Sequence, residues 1–320
     1  MKPNERRSTY RKFAEEQPLS LFQQAWWLDA VCGKDQWQVE LYTNQREQID
    51  GCLTYVLTKR FGRPIILMPT MTMQGGIWLR DYPDLTPYRQ QTRHKKIVEA
   101  LLEKLPDYVF YVQKYPYSFR AGLPLHLAGY EFTLHYSYRI ELDQSLETIW
   151  KNFDGRLRSK IRKANTLLRF ETSDDPVGFY ALNKLTFSRQ NMDIPYSLDF
   201  VQRMDKALRE NSQRFIYVAR DEMGRPHGTI YVAYDHDTAW YLAAGSDPEL
   251  RKSGAIQALL WHAIQEAKDR VATFDFEGSM LPEVELSFRA FGGRATPYFK
   301  VFRAKNKWWR TVGLWSGKFP

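Results

Sequence analysis

Cysteine is scarce in this 320-residue chain: only Cys32 and Cys52 occur, they form no CxxC pair, and no zinc-type ligand set lies near them. A disulfide-stapled scaffold is thereby excluded and a reducing compartment is expected. With 18 Gly and 16 Pro, neither collagen-like nor low-complexity sequence fits. No run approaches the ~18 apolar residues that span a bilayer. The longest apolar clusters, such as 64–69, are strand-sized. The opening MKPNERRSTYRKFAEEQ lacks the apolar core of a signal peptide. The signatures GxSxG, HExxH, GxGxxG and GxxxxGK are missing, and the six histidines are scattered without metal-ligand spacing. His262 reads as structural, and no metal site is expected. Together these features point to a cytoplasmic protein.

What is present is ample core material: 43% hydrophobic and 15% aromatic residues. The length suits two domains. The net charge of +9 is concentrated. Between Gly155 and Phe170 stand six cations and no acid: Arg156, Arg158, Lys160, Arg162, Lys163 and Arg169. After Glu285 come eight more without an acid, ending with Lys305, Lys307, Arg310 and Lys318. The rest of the chain is therefore net acidic, and such localised charge suggests an anionic ligand or surface.

The first basic segment fits a helix with Leu157, Ile161, Ala164 and Leu168 in one apolar stripe. Arg156, Lys160 and Lys163 lie on one flank, Arg158 and Arg162 on the other. Either these cations bind an anion or they form a solvated face. Repulsion among five cations in eight residues, with no acid to relieve it, favours the ligand. The tail carries Trp308, Trp309, Trp315 and Phe319 among lysines and an arginine. It suits either a membrane–water interface, at the inner face of the membrane, or a tail packed on the domain with its lysines snorkelling.

The same order of elements reads twice. In the second half, helical spacing at 175–190 and 199–210 precedes strands at 214–220, 227–234 and 239–245. A helix at 253–268, a strand at 272–276, a helix at 283–290 and a strand at 297–303 follow. In the first half a helix at 21–31 precedes strands at 37–42, 51–58, 65–68 and 76–79. A helix at 95–105, a strand at 108–112, a helical turn at 122–128 and a strand at 132–142 complete it. Phe110 to Gly129 and Thr273 to Gly292 have the same spacing. The boundary is drawn at 143/144, giving domains 1–143 and 144–320. The halves differ where strand 239–245 leads through Arg251-Lys252-Ser253-Gly254-Ala255 into a helix. Small residues at a helix start let N–H groups face an anion. The matching first-half connection, DYPDLTPYRQQTRH, has no glycine and carries Asp81 and Asp84, so that half reads as a degenerate copy.

The segments WKNFDGRLRSKIRKA, YLAAGSDPELRKSGAIQALLWHAI, FDFEGSM and FRAFGG…PYFKV, in this order, resemble the FemAB-type branch of the GNAT acetyltransferases. The resemblance implies an α/β (α+β) duplicated GNAT-like fold with mixed, mostly antiparallel sheets flanked by helices. It implies acyl or aminoacyl transfer to an amine. The donor would be acyl-coenzyme A or aminoacyl-tRNA as co-substrate, with no permanently bound cofactor. Arg251 and Gly254 match the GNAT phosphate signature Arg/Gln-x-x-Gly-x-Gly/Ala, while Ile256 stands where Gly or Ala is expected. That departure fits a donor other than acetyl-coenzyme A.

Within that fold, Ala243, Ala244 and Gly245 end a strand where backbone N–H groups would reach a carbonyl oxygen, or simply pack. Together with Arg251, Ser253, Gly254 and Ala255 they form the expected donor site. Alternation sends Asp275 and Glu277 to one face of the neighbouring strand, where two carboxylates raise one another's pKa. Glu277 is the expected base. In the alternative, both acids pair with the basic helix. Ser279 caps a turn or contacts substrate. Tyr298 either donates a proton to the leaving group, as the resemblance implies, or fills core. Arg156, Arg158, Lys160, Arg162 and Lys163 would hold a phosphate-bearing, lipid- or nucleotide-linked acceptor. The rival reading is a non-catalytic protein that docks on a polyanion or membrane surface.

Overall fold

The computed structural model describes residues 1–211, 213–278 and 280–315. The chain forms two compact units, Met1–His135 with Pro297–Pro320, and Tyr136–Thr296. In the first, α1 (Pro3–Glu16) and α2 (Ala25–Cys32) precede β1 (Gln38–Thr43), β2 (Ile49–Arg60), β3 (Arg63–Leu67) and β4 (Gly76–Leu79). Then come α3 (Pro87–Glu103), β5 (Phe110–Lys114), α4 (Gly122–Leu127) and β6 (Glu131–Glu141), which carries the chain into the second unit. There follow α5 (Leu146–Asn152), α6 (Gly155–Leu167), β7 (Arg169–Ser173), α7 (Pro176–Arg189) and α8 (Leu198–Asn211). The second unit ends with β8 (Gln213–Arg220), β9 (Pro226–Tyr234), β10 (Thr238–Ser246), α9 (Ala255–Ala267), β11 (Thr273–Asp275) and α10 (Pro282–Arg289). β12 (Arg294–Ala304) and α11 (Lys307–Trp315) return to the first unit.

Each unit is a mixed sheet with one parallel junction. The first runs β1-β2-β3-β5-β12, with β4 also on β2, and only β3–β5 is parallel. The second runs β6-β11-β10-β9-β8-β7, and only β10–β11 is parallel. In both, a helix (α3 or α9) bridges the parallel pair, as such a crossover requires. The strand–helix–glycine pattern after it also recurs. Gly129 follows α4 at φ +83° and Gly292 follows α10 at φ +68°, both in the left-handed region that ends helices.

The terminal strands are exchanged between the halves. β6, from the first half, pairs antiparallel with β11 of the second unit, and β12, from the second half, pairs antiparallel with β5 of the first. The expected split at 143/144 misses this exchange. Residues 297–315 belong with the first unit, and 136–143 with the second. Alternating residues encode a strand but not the edge it joins.

The amphipathic stripe read in the basic segment is the buried face of α6: Leu157, Ile161, Ala164 and Leu168 join Ile149, Phe153, Ile230, Val232, Leu259, Ile264 and Phe274 in the core of the second unit. The first unit packs Leu53, Ile66, Ile97, Leu101, Tyr111 and Tyr115 together. Four elements were not anticipated: α1, α5, β7 and α11. α3 starts at Pro87, eight residues before the expected 95, where the Thr86 hydroxyl accepts from the Arg89 N–H. A threonine cap followed by proline is a helix-start signal.

Candidate acyl-transfer site

β10 and β11 part company inside the sheet. They pair only over Thr238–Trp240 and Thr273–Asp275. The β9–β10 register then slips between Tyr241 and Ala243, and β10 continues to Ser246 paired with β9 alone. A bulge of this kind twists its strand and re-aims the residues beyond it. β11 meanwhile ends at Asp275, because Glu277 (φ +58°) and Gly278 (φ +59°) both adopt left-handed backbone. A Cβ at Gly278 would collide with the Tyr136 carbonyl oxygen, so only glycine allows the chain to turn so close to β6. The sheet therefore opens into a wedge between 243–246 and 276–278.

Asp275 organises one limb. It is fully buried and accepts from Ser137 Oγ at 2.5 Å and from the Glu277 N–H at 2.7 Å, with Arg139 Nε at 3.4 Å. It pins the turn that presents Glu277. Strand alternation does not extend to Glu277, since β11 stops two residues earlier. Glu277 is nonetheless buried, and it lies close to Tyr241 on β10. Burial, then the charge of Glu277, pushes the Tyr241 phenol well above its usual range.

On the other limb α9 begins without a capping side chain. Its N-cap, Gly254, has φ +83°. The Ala255 N–H donates to the Ser253 hydroxyl at 3.4 Å. A Cβ on Gly254 would sit 2.9 Å from Lys160 Cγ, so the basic helix meets the α9 terminus at that residue. Burial lowers the Lys160 pKa. The two flanks of α6 thus have different surroundings. Lys160 stands at Gly254, with Arg156 and Lys163 on the same flank. On the opposite flank Arg158 donates to the Lys151 carbonyl at 3.0 Å, and Arg162 lies over the Trp150 ring at 5.7 Å. None of these five cations pairs with a carboxylate among the described residues. Arg251 is exposed beside them. A helix N-terminus flanked by unpaired cations is suited to a phosphate group. Ile256, the departure from the phosphate signature, packs its side chain where a Cβ of Gly228 would be, 2.8 Å away.

The end of β10 has a packing role the sequence left open. A Cβ at Gly245 would collide with the Asn183 backbone nitrogen, so Gly245 is where α7 lies against the strand. From α7, the Asn183 amide donates to the Ala244 carbonyl at 2.6 Å, and the Thr186 hydroxyl accepts from the Ser246 N–H at 3.0 Å. Tyr196 donates to Asn183 Oδ1 at 2.7 Å. Sequence reasoning missed Asn183, Thr186, Tyr196, Tyr241, Ser137 and Arg139. One signal was available: Phe179, Leu182, Asn183 and Thr186 fall at i, i+3, i+4 and i+7, which puts two polar residues on the inward face of α7. An open depression of about 480 Å³ lies alongside, lined by Tyr180, Lys184, Ser188 and 192–197.

Tyr298 belongs to the first unit, buried beside Tyr117 and His135. Ser279 lies outside the described residues, as do Phe319 and the side chain of Trp315. No described helix is long and apolar enough to cross a membrane, and no described group of three His, Cys, Asp or Glu side chains is arranged to hold a metal.

Residues 151–284 match the family model of the acetyltransferase (GNAT) domain. The second unit is a GNAT acyltransferase domain. Across the whole chain the fold is the FemAB-like, tandem GNAT one. FemX superposes with a TM-score of 0.67 at 13% identity, covering 92% of this chain and 95% of FemX. The C-terminal domain of a putative lysylphosphatidylglycerol synthetase from Agrobacterium fabrum gives 0.58 at 11%, covering 97% and 95%. A tandem GNAT protein of the clavulanic acid biosynthesis pathway gives 0.50 at 10%, covering 93% of each chain. No curated protein matches by sequence. The GNAT match spans α6, the wedge and the α9 terminus.

Proposed function

We propose that this protein transfers an aminoacyl or acyl group from an activated donor to an amine on an anionic, lipid- or nucleotide-linked acceptor. The observation that carries this reading is the uncapped α9 terminus meeting Lys160 beside the opened sheet. The donor's phosphate sits at Gly254, held by Lys160, Arg156, Lys163 and Arg251, while its carbonyl enters the wedge. The acceptor amine, relieved of a proton by Glu277, attacks that carbonyl, and the donor's thiol or ribose hydroxyl departs. Asp275 acts as a positioning residue for Glu277. Of the two donors, aminoacyl-tRNA is favoured. Asn183 and Thr186 already engage the Ala244 carbonyl and the Ser246 N–H, strand-edge groups with which an extended pantetheine arm would pair. The Agrobacterium neighbour is named for an aminoacylated lipid, in keeping with an anionic lipid-linked acceptor here.

Filter binding with charged tRNA, alongside thermal shift with acetyl-coenzyme A, tests the donor. Lys160→Gln should weaken binding of the true donor about tenfold, the order expected for one charge-assisted contact. Tight donor binding undiminished in both Lys160→Glu and Gly254→Val would remove the donor from this terminus.

A further inference from the structure

We infer that the β2–β3 hairpin tip and the outer face of α11 form a docking site for an anionic lipid bilayer. The inference stands apart from the transfer reading and concerns only the first unit. β2 and β3 are joined by two residues, Phe61 (φ +49°) and Gly62 (φ +72°). Two-residue turns with both central φ values positive favour Asn-Gly, because bulky side chains are strained there. Here a phenylalanine holds that position and is 71% exposed. A Cβ at Gly62 would have nothing within 4 Å, so the tip projects freely. The turn is closed by Arg60 opposite Arg63, a like-charge pair that weakens a hairpin. Strain and repulsion concentrated at one exposed aromatic tip point to a role outside the fold.

α11 supplies the other half. Trp309 is buried with Ile65, Val109, Phe110, Val112 and Phe302, which fixes the helix on the unit. Trp308, its neighbour, is 56% exposed. The Phe61 and Trp308 rings meet with centroids 6.4 Å apart. Around them stand Lys59, Arg60, Arg63 and Lys307, none paired with an acid among the described residues, while Arg310 pairs with Glu131 and Lys305 with Asp107. Exposed aromatics ringed by cations, with no acid at the tip, match the chemistry of an anionic membrane interface. The rings cross at 62° on a protruding turn and make no flat platform for nucleic-acid bases.

The test is cosedimentation of the full chain with vesicles of phosphatidylcholine alone or mixed with phosphatidylglycerol. Binding to the mixed vesicles is expected, with little to the neutral ones. Phe61→Asn suits the left-handed turn, so its Tm should hold or rise while its vesicle binding falls about tenfold or more. Arg60→Gln with Arg63→Gln should lower binding about twentyfold and leave the fold intact. Unchanged vesicle binding in both variants would overturn the proposal. So would equal binding to neutral vesicles, or a structured RNA that binds as tightly and loses affinity by the same factors in the same variants.

Discussion

Glu277 and Gly278 turn the chain with two consecutive left-handed residues, and one buried carboxylate holds that turn together. Asp275 receives Ser137, the Glu277 amide and Arg139. Removing it leaves Arg139, itself 19% exposed, with a lost counter-charge. Asp275→Ala should therefore cost about 3 kcal/mol in urea unfolding, and Ser137→Ala about 1 kcal/mol. A loss within experimental error for Asp275→Ala would mean that it does not pin the turn. A second residue makes a pH prediction. Burial, then Lys300 and Lys114, lowers His135 from 6.5 to about 4. The unfolded chain then binds a proton between those values that the folded chain refuses, so stability falls as pH drops through that window. His135→Gln should shrink the fall in Tm between pH 7 and pH 4. An unaltered pH profile would count against a depressed pKa. Period-two alternation groups Asp275 with Glu277 on one face, but it cannot foresee that the strand ends between them. The glycine at 278 was the only local mark of the turn.

At the scale of elements, the two parallel junctions differ in how their crossover helices begin. α3 has Thr86 as a cap, whereas α9 starts at a bare glycine against Lys160. That contrast was legible, because small residues at 253–255 and the acid-free run at 156–163 both show in the sequence. What was not legible is which flank of α6 meets α9. Helical periodicity defines two flanks but not their neighbours, and Arg158 and Arg162 turn to α5 instead. The contact of α7 with β10 was equally hidden, since Gly245 reads alike as a backbone exposed to a ligand or as a backbone covered by a helix. The structure makes it the latter. Gly245→Ala should displace α7 and destabilise the protein by about 1–3 kcal/mol by thermal or chemical unfolding. Neutrality at this position would mean that α7 yields easily, and that the hydrogen bonds of Asn183 and Thr186 are not what sets the strand edge.

For the whole molecule, the duplicated order of elements was readable from spacing, and the exchange of terminal strands was not. Each unit is completed by a strand from the other half of the chain. Val301→Pro in β12 breaks its ladder at a fully buried position. Hydrogen exchange should then quicken at 110–114 in β5, far more than in α9. Equal quickening in both would contradict the pairing scheme as a separate source of stability for the first unit. If the wedge of the second unit performs transfer, Glu277 takes the amine proton. That role is tested most directly by the single-turnover rate of Glu277→Gln under saturating donor and acceptor. That rate should fall about a hundredfold, the usual contribution of a general base, with donor affinity unchanged. A variant that turns over at the parent rate would contradict it.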